Sequence, residues 1–171
     1  MQNLDNFQPL AKYQENVASL ISSIRKQTDI VIGVHIRQGD YQKHQGGRYF
    51  YTVEQYLKVM EDVIELFPNQ KVTFLICSNN QQDPKYFQHL SYVYGNNHII
   101  EDMYSLAKCD YIITPPSSYT MWASFYGEKP LYMIRNTTKS PKIKDFVHFY
   151  QWKGVFSYDE DWSKSFWEWT H

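Results

Sequence analysis

The stretch Asp29-Ile30-Val31-Ile32-Gly33-Val34-His35-Ile36-Arg37-Gln38-Gly39-Asp40-Tyr41 decides how the chain is read. Five of its first eight residues are Ile or Val, and such a run is how a strand buried on both faces of a parallel sheet is written. Polar residues arrive together at its end. His35 and Arg37 are two apart, so on an extended backbone they point the same way, and Gly39 lets the chain turn close to whatever they hold. Ligands of open α/β sheets bind beyond the carboxyl ends of the strands, so a site is expected here.

On the upstream side, Tyr13, Val17, Leu20, Ile21 and Ile24 recur at helical spacing, which predicts an amphipathic helix from Ala11 to about Lys26. Downstream, Gln42-Lys-His-Gln-Gly-Gly-Arg48 is a polar loop with no periodicity, placed where it could close over a ligand. Thr52 and Gln55 form a capping-box pattern ahead of the stripe Val53, Tyr56, Leu57, Met60, Ile64 and Phe67, predicting a helix from Thr52 to Leu66. Lys71–Ser78 reads as the next strand. Asp83 and Pro84 start a helix expected to reach Tyr92, Gly95-Asn96-Asn97 is a turn, and His98–Ile100 reads as a short strand. Asp102 is expected to cap a helix to Lys108, followed by a strand Tyr111–Thr114 that Pro115-Pro116 stops. Ser117-Ser118 open a helix to Tyr126 that Gly127 closes, and Pro130–Ile134 is a further strand. A closing helix is expected from about Asp161. Strands alternating with helices imply βαβ units, hence an α/β fold: a Rossmann-like parallel sheet with helices on both faces.

With 171 residues and no internal linker, the chain is expected to be one domain, a core over 28–135 followed by an aromatic segment over 136–171. Its 17 Lys and Arg against 18 Asp and Glu leave no basic excess to hold a nucleic acid through its phosphates. Fifteen Tyr, ten Phe and five Trp suit sugar contact, although most aromatics fill cores, as the terminal tryptophans are expected to do here, or to form a lid. Cys77 and Cys109 sit in apolar surroundings and read as small core residues, consistent with a reducing compartment. The first residues lack the pattern of a signal peptide, and no stretch approaches the ~20 apolar residues of a membrane span, so a cytoplasmic location is expected. In the absence of a secretory signal the sequon Asn136-Thr137-Thr138 reads as chance.

In a parallel sheet three places converge on one edge: the strand end with His35 and Arg37, the helix start at Asp102, and the turn at Ser117-Ser118. A helix start offers unpaired N–H groups to a phosphate, and Arg37 offers a planar cation that can hold two phosphate oxygens. Asp40 fits either a proton-transfer role or plain turn chemistry.

The same residues resemble the α-1,2 and α-1,6 fucosyltransferase family. His35-Ile-Arg37-Gln-Gly-Asp-Tyr41 is similar to its first motif, His-x-Arg-Arg-Gly-Asp-Tyr, and Phe74–Asn80 to the strand of its second, which normally ends Ser-Asp-Asp. Glu101–Trp122 is similar to the third, in which an Asp-Met/Leu-Tyr helix, an apolar strand and a Ser-rich turn follow at this spacing. The chain departs from the family at Gln38, where a second arginine is usual, at Asn79 and Asn80 in place of two acids, at Pro116 in place of Asn, and before Trp122, which keeps one of two tryptophans.

The resemblance implies the nucleotide-sugar half of a GT-B fold, with GDP-L-fucose as donor, a glycan hydroxyl as acceptor, inversion at the transferred carbon and no metal. His35 and Asp102 would face the guanosine, Arg37 the β-phosphate as the catalytic cation, and Ser117 and Ser118 the phosphates. The family's acceptor-binding half normally precedes the first motif, whereas 28 residues precede this strand. Two alternatives therefore stay open: a non-catalytic GDP- or GDP-sugar-binding module serving as a partner subunit, and a fragment lacking its acceptor half, for which the Golgi lumen would be the expected compartment. An unrelated α/β binding domain would have no guanine-nucleotide affinity.

Overall fold

The computed structural model describes residues 7–148. The helix expected from about Asp161 and the roles expected for the terminal tryptophans lie outside the described residues.

The elements run α1 (Ala11–Arg25), β1 (Ile30–Ile36), α2 (Val53–Ile64), β2 (Val72–Ser78), β3 (Tyr92–Tyr94), α3 (Ile99–Leu106), β4 (Tyr111–Thr114), α4 (Ser118–Gly127) and β5 (Leu131–Met133). Five strands form one sheet in the order β3-β2-β1-β4-β5, and every pairing is parallel. The chain fills one side of β1, then crosses to β4 on the other. The crevice beyond the carboxyl ends of β1 and β4 is therefore the switch point at which ligands of such sheets bind.

Alternation along β1 divides the core in two. Ile30, Ile32, Val34 and Ile36 pack with Phe74, Ile76 and the α2 residues Tyr56, Val59, Met60 and Val63. Val31 joins Ile24 of α1, Leu75 and Cys77 of β2, Leu106 of α3 and Ala123 of α4 on the opposite face. Helices thus cover both faces, as a Rossmann-like sheet requires. Gly33 is the contact with α3, because a Cβ there would stand 2.6 Å from Leu106 Cδ2 and 3.1 Å from Cys109 Sγ. At the far end of the sheet Asp110 accepts from the Val31 N–H at 2.8 Å and pairs with Arg25, which fixes the end of α1 against the start of β4.

The capping box forms as the sequence dictates: Thr52 Oγ1 accepts from the Gln55 N–H and Gln55 returns the bond to the Thr52 N–H. Burial of Tyr56, Val59, Met60 and Val63 then anchors α2, each such side chain contributing roughly 1.5–3 kcal/mol relative to exposure.

Four expectations are corrected. The helix after Pro84 is a single 3-10 turn, Pro84–Phe87, and the chain it would have used becomes edge strand β3, whose tyrosines pack on the buried Phe87. His98–Ile100 is not a strand, since His98 is the N-cap of α3 and accepts from the Glu101 N–H. Asp102 consequently lies within the first turn of α3 rather than capping it. At the end of α4 the left-handed residue is Glu128 (φ 52°), and Gly127 is required for a different reason: a Cβ there would meet the Ala107 carbonyl.

Candidate functional site

A cavity of about 230 Å³ opens beyond the ends of β1 and β2, lined by His35, Arg37, Cys77, Ser78, Asn79, Asn97, Ile99, Asp102 and Tyr119. Three of the five residues singled out by sequence therefore meet in one place.

His35 occupies the last site-facing position of β1, in register with Cys77 of β2, and Tyr119 covers its ring at 5.0 Å between centroids. It is 4% exposed. Burial, helped by the charge of Arg37, pushes its pKa down to about 3, so the imidazole is neutral at any physiological pH. Its Nδ1 is buried with no hydrogen-bond partner.

Arg37 leaves the strand with its backbone N–H donated to the Tyr56 hydroxyl at 3.2 Å. Its Nη2 donates to Asp40 Oδ2 at 2.9 Å, while its buried Nε has no partner. The hydrogen bond from Arg37 holds the Asp40 carboxyl below its ordinary range. Asp40 is thus favoured as a carboxylate, and its contact with Nη2 orients the cation.

Asp102 projects from the first turn of α3 beneath the Asn96-Asn97-His98 turn. Burial raises its carboxyl to about 6 against the pull of the Asn96, His98 and Asn97 amides, and its buried Oδ1 has no hydrogen-bond partner. Gly95 makes the room. A Cβ there would stand 2.5 Å from Asp102 Oδ1 and 2.9 Å from Cys77 Sγ. The turn itself is tied down by Glu101, whose carboxylate accepts from Asn16 of α1 and from Asn96, both at 2.7 Å.

Ser117 and Ser118 do not line this cavity. They stand at the start of α4 behind Tyr41, whose ring lies 5.4 Å from the Arg37 guanidinium and whose hydroxyl donates to the Pro116 carbonyl at 2.6 Å. The Ser117 hydroxyl makes no cap and faces the Tyr41 hydroxyl. The opening N–H groups of α4 have no partner within the helix.

Sequence reasoning passed over Tyr119, Cys77 and Gly95. Tyr119 follows the serine pair directly, and its hydroxyl donates to the Ile99 carbonyl at 2.7 Å, joining α4 to α3 across the mouth. Alternation from Leu75 was the available signal for Cys77. Nothing in the sequence marked Gly95 as more than a turn residue. A larger cleft of about 910 Å³ lies on the outer side of β5, lined among others by Arg135, Lys139, Lys142 and Lys144, away from these groups. Among the described residues no group of three or more His, Cys, Asp or Glu side chains is arranged to hold a metal ion, and no helix is long and apolar enough to cross a membrane.

Comparison with known proteins gives two findings. The fold is similar to the crystal structure of NodZ α-1,6-fucosyltransferase soaked with GDP-fucose, with a TM-score of 0.54 and 18% identity, over 81% of this chain and 47% of that one. This chain therefore spans less than half the length of that enzyme. Comparison with curated protein sequences gives no significant match. The model of glycosyl transferase family 11 matches residues 9–156, and with most of its length accounted for in this way, the chain belongs to glycosyl transferase family 11.

Proposed function

We propose that the cavity binds the nucleotide-sugar donor GDP-L-fucose, for inverting transfer of fucose to a glycan hydroxyl. One observation carries the reading: three buried polar atoms without partners, His35 Nδ1, Arg37 Nε and Asp102 Oδ1, belong to residues that line one cavity at the switch point of the sheet. A buried polar group left unpaired costs about 1–3 kcal/mol, so a cluster of three is the mark of a ligand that supplies the partners.

Each group suits one part of the donor. A carboxylate accepts from the adjacent N1–H and N2–H of guanine, a pair adenine lacks, which fits Asp102. Neutral His35 adds a further contact to the nucleoside. Arg37, held by Asp40, and the opening N–H groups of α4 at Ser117 and Ser118 meet the diphosphate. In transfer, the acceptor oxygen forms its bond to the anomeric carbon on the face opposite the leaving group. The carbon–oxygen bond to GDP breaks, its electron pair passes to the β-phosphate, and a general base takes the hydroxyl proton. Arg37 stabilises the charge gathering on the phosphate. The base is expected from the acceptor-binding half. In this reading the charge on the leaving group is met by Arg37 and the start of α4, with no metal called for.

Calorimetric titration of GDP, GDP-fucose and ADP without added metal tests it. GDP and GDP-fucose bind and ADP does not, and Arg37→Ala weakens both by about 1.5–3 kcal/mol, roughly 10- to 150-fold. GDP-fucose affinity falls as pH drops through about 6, where Asp102 takes up its proton and loses an acceptor. Absence of binding by both guanine ligands rejects the reading. A GDP-sugar-binding module without turnover of its own would give the same titrations with no fucose transferred to any acceptor.

A further inference from the structure

Arg37 is held by a relay of two side chains, Asp40 and Asn79, the second of which has no role in the reading above. The Asn79 Oδ1 accepts from the Gln38 backbone N–H at 3.1 Å, and its Nδ2 donates to Asp40 Oδ1 at 3.4 Å. Asp40 Oδ2 then accepts from Arg37 Nη2 at 2.9 Å. Gly39 lies beneath the relay with φ +41°, and a Cβ there would stand 3.0 Å from Asn79 Nδ2. The turn is thus shaped so that the amide can reach both sides.

We propose that Asn79 is a positioning residue for Arg37, fixing Asp40 with its amide so that the carboxylate aims the guanidinium at the donor's diphosphate. An amide offers an acceptor to the Gln38 N–H and a donor to Asp40 at once, from two separate atoms. Aspartate would keep the first bond but set a second carboxylate against Asp40. Alanine would lose both. The Arg37–Asp40 pair needs this support because its side chains are 33% and 55% exposed, and exposed pairs are poorly ordered on their own. The charged and titratable side chains that act on Asp40 are Arg37 and His44, and His35 and Asp102 line the cavity. The inference rests on the cavity being the donor site, and the two can fail separately.

The test uses the full chain with Asn79→Asp, Asn79→Ala, and Asn79→Asp combined with Asp40→Asn. GDP-fucose is the ligand, because its diphosphate has no ionisation between pH 5 and 8. Asn79→Asp is expected to weaken binding about tenfold at pH 7.5. Facing carboxylates raise one another's pKa, so lowering the pH from 7.5 to 5.5 moves the pair toward its singly protonated form and returns part of that loss relative to the wild type at the same pH. The double variant, again with one amide and one carboxylate, recovers to within about threefold at pH 7.5 and loses the extra pH dependence. Nitrogen relaxation of the Arg37 Nε–H, measured without ligand, is expected to show a rigid side chain in the wild type and a mobile one in Asn79→Asp at pH 7.5. A side chain equally rigid in both, tighter binding by Asn79→Asp, or no recovery in the double variant overturns the proposal. If the wild type binds no GDP-fucose, the donor reading falls, and the relaxation data still decide whether Asn79 orders Arg37.

Discussion

The two faces of β1 were built from the same strand to opposite rules. On the α2 face, Ile32, Val34 and Ile36 are fully buried among apolar side chains, with Phe74, Tyr56 and Met60 equally enclosed. On the face toward α1, α3 and α4, the strand presents Val31, then Gly33, then His35, and near its carboxyl end the packing includes a neutral imidazole, a thiol and a carboxylate. Burial is nearly the same on both sides, at 4% exposure for His35 and 6% for Asp102. What differs is whether the buried groups are satisfied. One face stores the free energy that holds the fold together, and the other gives some of it up to keep polar atoms dry and available.

Substitutions separate the two rules. On the first face Phe74→Ala is expected to cost about 3–5 kcal/mol in urea denaturation, since a large side chain is removed from an enclosed site, while donor affinity per folded molecule stays unchanged. On the second face the sign reverses. Asp102→Asn removes a buried charge whose carboxyl is raised to about 6. A raised acid lowers stability above its folded pKa and has no effect below its unfolded value near 4, so the variant is expected to be more stable than the wild type by on the order of 1–3 kcal/mol at pH 7.5. The gain shrinks as pH falls through 6 and is gone below about pH 4, and guanine-nucleotide binding is lost throughout. An unchanged or lowered stability at pH 7.5 would mean that the surrounding amides fully satisfy the carboxylate. The smallest effect returns to the first face, where Thr52→Ala opens the capping box of α2 and costs about 1 kcal/mol by thermal denaturation, again without touching donor affinity.

The sequence made the strongest elements legible because their signals are local. An unbroken Ile/Val run, a Thr-x-x-Gln cap and a double proline each state their structure within a few residues, and β1, α2 and the end of β4 lie where these signals put them. The region from Pro84 to Asp102 was misread because its outcome is set by distant contacts. The Asp83-Pro84 pair starts a helix chemically, yet only one 3-10 turn forms before Tyr92–Tyr94 adds to the edge of β2 in register with Phe74, Leu75 and Ile76. His98 is an uncommon cap, and its ring is steadied by stacking on Tyr13 of α1, 4.7 Å between centroids, a contact 85 positions away in sequence. In the site, His35, Arg37 and Asp102 were legible as residues at strand and helix ends. That they share a cavity while Ser117 and Ser118 stand outside it depends on Tyr41 and Tyr119, two bulky rings between the strand ends, and no local pattern distinguishes such a ring from a core aromatic.

Tyr56 joins the two faces. Its ring is fully buried with α2, and its hydroxyl accepts the Arg37 backbone N–H at the rim of the cavity. Thermodynamic linkage is reciprocal, so a ligand that quiets the Arg37 turn also slows amide hydrogen exchange in the opening turns of α2, a helix it never touches. Occupancy of the cavity would thus be readable from the opposite side of the sheet.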